Sequence, residues 1–176
     1  MQKVTNDNFG PLIAYLVPGA TVLAAVSPFS PTLQAWLAAS PPTAPSLGGF
    51  LYATVASLAV GMTLSAFRWA IVDTAHRLTG LAPPVLDFAA LGENVDAFVL
   101  LIEIHYRHYQ FYANMLLATA VAYACYRARL GGWAVGWADL GVLVLEAVFL
   151  ATSRDTLRKY YTRTRQLLGG RLLAVP

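Results

Sequence analysis

Charge and cysteine are both scarce in this chain, and each shortage excludes something. Only 12% of the 176 residues are charged against 57% hydrophobic, and the mean hydropathy of +0.55 is too high for an ordinary soluble domain. A membrane protein is the expectation. The single cysteine, Cys125, leaves no partner for an intrachain disulfide and no cysteine-based metal cluster. The sequence has no phosphate-binding Gly-rich loop ending in Lys-Ser/Thr and no Gly-x-Ser-x-Gly elbow, which sets nucleotide and serine-hydrolase chemistry aside. It also lacks His-Glu-x-x-His, a repeated Glu-x-x-His, and any fold-level motif for nucleic acid. Nucleic acid is therefore not an expected partner; the lipid bilayer is.

The apolar residues fall into four runs. They predict an all-α integral membrane protein in a single membrane domain, residues 1–176, with spans at about 9–29, 49–72, 111–130 and 133–153. The last two spans are expected to extend into the cytoplasm as helices over about 91–110 and 154–168. Four spans of roughly 20 residues would take about 80, leaving little for a separate soluble domain. The first span lacks an obvious cleavage site and is expected to stay in the membrane. Pro18-Gly19 in its middle should kink or break it, because proline lacks the N–H and crowds the preceding turn. Residues 30–48 carry no charge but include Pro31, Pro41, Pro42 and Pro45, and the stretch around Leu33, Trp36 and Leu37 suits a segment lying at the membrane surface. In the second span Gly49, Ala53, Ser57, Gly61 and Ser65 recur at every fourth position. Such a stripe lets another backbone come close, within the monomer or between subunits.

Residues 93–130 contain neither Gly nor Pro and pass from half-charged to apolar, so they read as one helix from water into the bilayer. At about 1.5 Å per residue these 38 positions extend about 57 Å, roughly twice the hydrocarbon thickness. Gly131-Gly132 then turns the chain back into the fourth span. Antiparallel pairing about that turn sets Glu103 level with Tyr160, Asp96 with Leu167 and Asn114 with Phe149, giving a charged cytoplasmic stalk. Arg154, Arg158, Lys159, Arg163, Arg165 and Arg171 in the tail outnumber Arg127 and Arg129 near the opposite turn. The positive-inside bias makes this a multi-pass inner-membrane protein with both termini cytoplasmic. Attachment to anionic headgroups is the other use for the tail.

Polar groups at membrane depth are costly and need partners. Arg127 can reach Asp139, while Arg68 is expected to meet Glu146 with Asn114 nearby, making Arg68, Asn114, Glu146 and Asp139 an intramembrane polar cluster. At the joint between stalk and membrane, Glu103, Arg107 and Gln110 share a stripe, with Glu103 and Arg107 spaced as an i,i+4 pair. Val99, Leu101, Ile102 and Ile104 imply that the projecting half is largely packed. No cofactor is expected; the alternative is Zn or non-haem Fe on Glu103, His105 and His108, with Asp73 and His76 as further ligands. The leading functional expectation is a non-enzymatic homo-oligomer, a channel, pore or membrane-perturbing assembly gated through the stalk, in which Asp139 or Glu146 would favour cations. The alternatives are a metal-dependent enzyme acting on a lipid-like substrate and an anchor subunit for a cytoplasmic protein partner.

Overall fold

A computed structural model describes residues 9–37, 47–92, 94–131 and 135–168. Among these residues every regular element is helical and there is no strand. The order is α1 (Phe9–Val26), a 3-10 turn (Ser27–Phe29), α2 (Pro31–Leu37), α3 (Leu47–Leu78), a second 3-10 turn (Phe88–Leu91), α4 (Val95–Leu101), a π turn (Ile102–Tyr106), α5 (Arg107–Leu130) and α6 (Trp137–Leu168). Two stretches, Leu12–Phe29 and Leu47–Leu78, are helical, long and apolar enough to cross a membrane.

Pro18 does not break α1, which is helical from Phe9 to Val26. Proline cannot donate to the carbonyl four residues back, so Ala14 is left with an unpaired C=O. The side-chain amide of Asn114 on α5 donates to that carbonyl at 3.0 Å, and Asn114 is fully buried. Backbone groups away from water must find a partner. The defect that Pro18 makes in α1 is thus filled by α5, and it helps to fix how the two helices dock. On its other side α1 lies against the small-residue stripe of α3. A Cβ on Gly19 would sit 1.7 Å from the Ser57 carbonyl oxygen, and one on Gly61 would sit 1.9 Å from that of Tyr15. Ser57 and Gly61 are accordingly buried under α1, whereas Gly49, Ala53 and Ser65 are half-buried. At its two central positions the stripe serves packing within the chain. The ring of Trp36 on α2 stacks on Tyr52 of α3 with centroids 5.6 Å apart.

Two boundaries differ from expectation. Helix α3 runs to Leu78 instead of ending near 72, so Asp73, His76 and Arg77 are helical, and Gly80 at φ +89° ends the run. The helix expected without interruption over 91–130 begins at Val95, after the second 3-10 turn, and contains the π turn; Glu93 lies outside the described residues. A π turn adds a residue to a helical turn and so shifts the face presented beyond it. Gly131, left-handed at φ +64°, closes α5 in the manner of a C-terminal glycine. Gly132 and Trp133 are outside the described residues, as are residues 38–46 and 169–176.

Helix α6 packs chiefly against α5, antiparallel and close to the expected register. Tyr112 meets Phe149 at 6.5 Å between ring centroids, and Tyr160 meets Tyr106 at 5.1 Å, about one turn from Glu103. The apolar core gathers Val72, Tyr109, Ala113 and Leu157, where α3 ends, α5 begins and α6 is at mid-length. The region before α5 is not closed over as expected: Val99, Leu100 and Ile104 are exposed, and Leu101 and Ile102 only half-buried.

Candidate functional site

The polar residues sort into three groups, the first at the core. Arg68 is 5% exposed, and its Nη1 donates to both oxygens of Asp73, at 3.0 and 3.3 Å. The guanidinium lies 5.0 Å from the centroid of the Tyr109 ring, and the Tyr109 hydroxyl donates to Asp73 Oδ1. The expected Arg68–Glu146 contact is therefore replaced by Arg68–Asp73. Its cause is the extra length of α3, which delivers a carboxylate five residues beyond the arginine. A buried guanidinium needs such a partner, since an unpaired charge there is strongly destabilising. One turn further, His76 Nε2 lies 3.2 Å from Ser153 Oγ. The Ser153 hydroxyl donates to Leu150 O at 2.9 Å, so His76 Nε2 carries the proton and donates to the serine. Arg154 donates to Thr79 O at 2.8 Å, which ties α6 to the end of α3.

The second group surrounds the π turn. Buried His105 accepts through Nε2 from Arg163 Nη1 at 2.7 Å. Arginine can only donate, so this imidazole is neutral. Its pKa is lowered by burial first and by Arg163 next. His108 is exposed on another side, with Nδ1 donating to Ile104 O at 2.6 Å. The two histidines diverge, and Asp73 and His76 are engaged elsewhere. Among the described residues no group of three or more His, Cys, Asp or Glu comes together, so the metal set of Glu103, His105 and His108 is not assembled. Gln110 Nε2 donates to the Tyr15 hydroxyl at 3.2 Å. Glu103 and Arg107 form no ion pair, the described ion pairs being Arg68–Asp73, Arg127–Asp139 and Lys159–Asp155. Instead both line a cavity beside α1.

The third group is the acidic pair of α6. Asp139 accepts from Tyr123 at 2.5 Å and from Arg127 at 3.2 Å, the latter a contact that depth alone suggests. Glu146 accepts from Thr119 Oγ1 at 2.5 Å, and among the described residues no cation pairs with it. Both carboxylates line one cavity of about 490 Å³ between α5 and α6, walled otherwise by residues such as Ala120, Leu140 and Leu143. All its lining residues come from α5, α6 or Val135 just before α6. Chemically this is an acidic, otherwise apolar groove, able to take a cation or the polar face of another helix.

Several partners escape a reading of the sequence. Tyr109 beside Arg68, and Ser153 against His76, come from helices far apart in the chain, and Asp73 is reached only because α3 continues past the apolar run. Pro18 does carry a signal for Asn114, because a helical proline always frees the carbonyl four residues earlier. Compared with known proteins, the chain matches no family model, no curated protein and no solved structure.

Proposed function

We propose that the protein is a four-span inner-membrane protein, with both termini in the cytoplasm, that assembles into a homo-oligomer around a cation path. The path would run along the α5/α6 faces and be gated through the cytoplasmic helical stalk. The observation that carries this reading is the groove holding Asp139 and Glu146, which α1 and α3 leave uncovered. Glu146, which has no cation partner among the described residues, would be costly facing lipid, so a second copy is the natural cover, and acidic groups repeated around an axis favour cations. Leu140 and Leu143 beside the groove are exposed and available to such a contact. The test is cross-linking in native membranes. With Cys125 replaced by serine, a single cysteine at 140 or 143 should give a cross-linked dimer under a short bis-maleimide. Only monomer at both positions would refute the assembly.

A second reading has its own support. Val85, Phe88, Val95, Val99 and Leu100 are exposed outside the expected spans. Apolar side chains left uncovered in this number, all between residues 85 and 100, favour an interaction surface. It favours an anchor that docks a soluble protein on the α4 side, and a monomer in native membranes would point to it.

A further inference from the structure

The cavity beside α1 has a feature that its neighbours lack. Its volume is about 280 Å³, and it is bounded by Ile13 and Ala14 of α1 and by Phe111 and Tyr112 of α5. Into this mainly apolar space reach two opposite charges, Glu103 and Arg107, together with His108. Their spacing of four residues normally gives an ion pair on a helix, in the favourable acid-first order. Here Glu103 lies inside the π turn, and the two groups stay apart. Arg107 Nε is buried with no hydrogen-bond partner. A half-buried cation and a half-buried anion that share one pocket, yet do not neutralise each other, are complementary to a ligand carrying both charges.

The order of the charges identifies which end of the ligand goes where. Glu103 is about 6 Å further along the helix than Arg107, on the side away from residue 111. If α5 enters the bilayer near residue 111, Arg107 is at the membrane edge, Glu103 is further into water, and Phe111 and Tyr112 are at the level of the upper acyl chains. A phosphoethanolamine lipid has the same sequence of chemistry, with chains, then phosphate, then a primary ammonium. We propose that this cavity binds the headgroup of a phosphatidylethanolamine molecule, with Arg107 donating to the phosphate and Glu103 accepting from the ammonium. The exposed His108 forms the outer wall. This assignment rests on α5 crossing the membrane, as the proposed function does, and not on any conduction.

The test uses full-length protein, purified in mild detergent, stripped of lipid and offered equal amounts of phosphatidylethanolamine, phosphatidylglycerol and phosphatidylcholine, with bound lipid counted by native mass spectrometry. Wild type should retain one phosphatidylethanolamine per chain, in preference to either competitor by about tenfold, the scale of one charge-assisted hydrogen bond. Glu103→Gln, nearly isosteric, should bring the ratio to phosphatidylglycerol close to one while leaving total retention similar. Arg107→Gln should lower retention of every phospholipid. If Arg107→Gln does not fold, the wild-type ratio and Glu103→Gln still decide the matter. Equal retention of the three lipids by wild type, or an unchanged ratio in Glu103→Gln, would overturn the proposal. So would displacement of the lipid by an equal concentration of free phosphoethanolamine, which would make the site one for a soluble ligand. Absence of cation flux would refute the path proposed above without altering any of these outcomes.

Discussion

If Asn114 repairs the carbonyl that Pro18 exposes, the two residues should be energetically coupled although they are on different helices. Asn114→Leu keeps the volume but removes the donor, leaving Ala14 O buried and unpaired, which costs about 1–3 kcal/mol. Pro18→Ala restores an N–H to that carbonyl but strands the Asn114 amide, whose Oδ1 already has no partner, and Pro18 is itself fully buried. Each single change should therefore destabilise. In the double variant neither orphan remains, so it should be more stable than the sum of the singles by about 1–2 kcal/mol, within the range seen for interhelical side-chain bonds in membranes. The assay is equilibrium unfolding in mixed detergent micelles, read by the four tryptophans. Additivity within about 0.5 kcal/mol would refute the coupling.

Other outcomes follow from the same geometry. Gly19→Ala and Gly61→Ala should each lose about 1–3 kcal/mol, because the new methyl meets a backbone oxygen, while Gly141→Ala, with nothing within 4 Å, should stay within about 1 kcal/mol of wild type in the same unfolding assay. Arg68→Met strands Asp73 and should cost about 3–5 kcal/mol, whereas Tyr109→Phe, which removes one hydroxyl donor, should cost about 1–2 kcal/mol; both are read from detergent unfolding curves. Stability should fall on acidification. His105 is held below its ordinary 6.5 in the folded chain, so the unfolded chain takes up protons first as pH drops through that value, and the loss continues until the folded-state value is passed. Unfolding midpoints measured from about pH 8 to about pH 5 should show this slope, and His105→Gln should flatten it.

The antiparallel pairing of the last two helices is legible because Gly131 marks the turn and counting outward from it brings Tyr112 to Phe149 and Arg127 to Asp139. The end of α3 is not. Hydropathy drops after Val72, but the helix continues, since Asp73 and His76 find partners on α5 and α6 that no local pattern announces. The π turn at Ile102–Tyr106 is invisible for a similar reason: nothing in the residue types of that segment distinguishes it from α-helix, and it shows only as a change of buried face. That change explains why Glu103 and Arg107, drawn as a pair by their spacing, instead remain apart in a cavity. Depth alone pairs Glu146 with Arg68, and depth cannot say which face of a helix looks where.

In the proposed assembly Glu146 lies beside a cation path between subunits. Purified protein in liposomes under a potassium chloride gradient gives the most direct measurement, the reversal potential. The expected potential is close to that of a cation-selective path and is reduced by Glu146→Gln while the protein remains folded and oligomeric. A flux without preference for cations, or a selectivity that Glu146→Gln leaves unchanged, would contradict it.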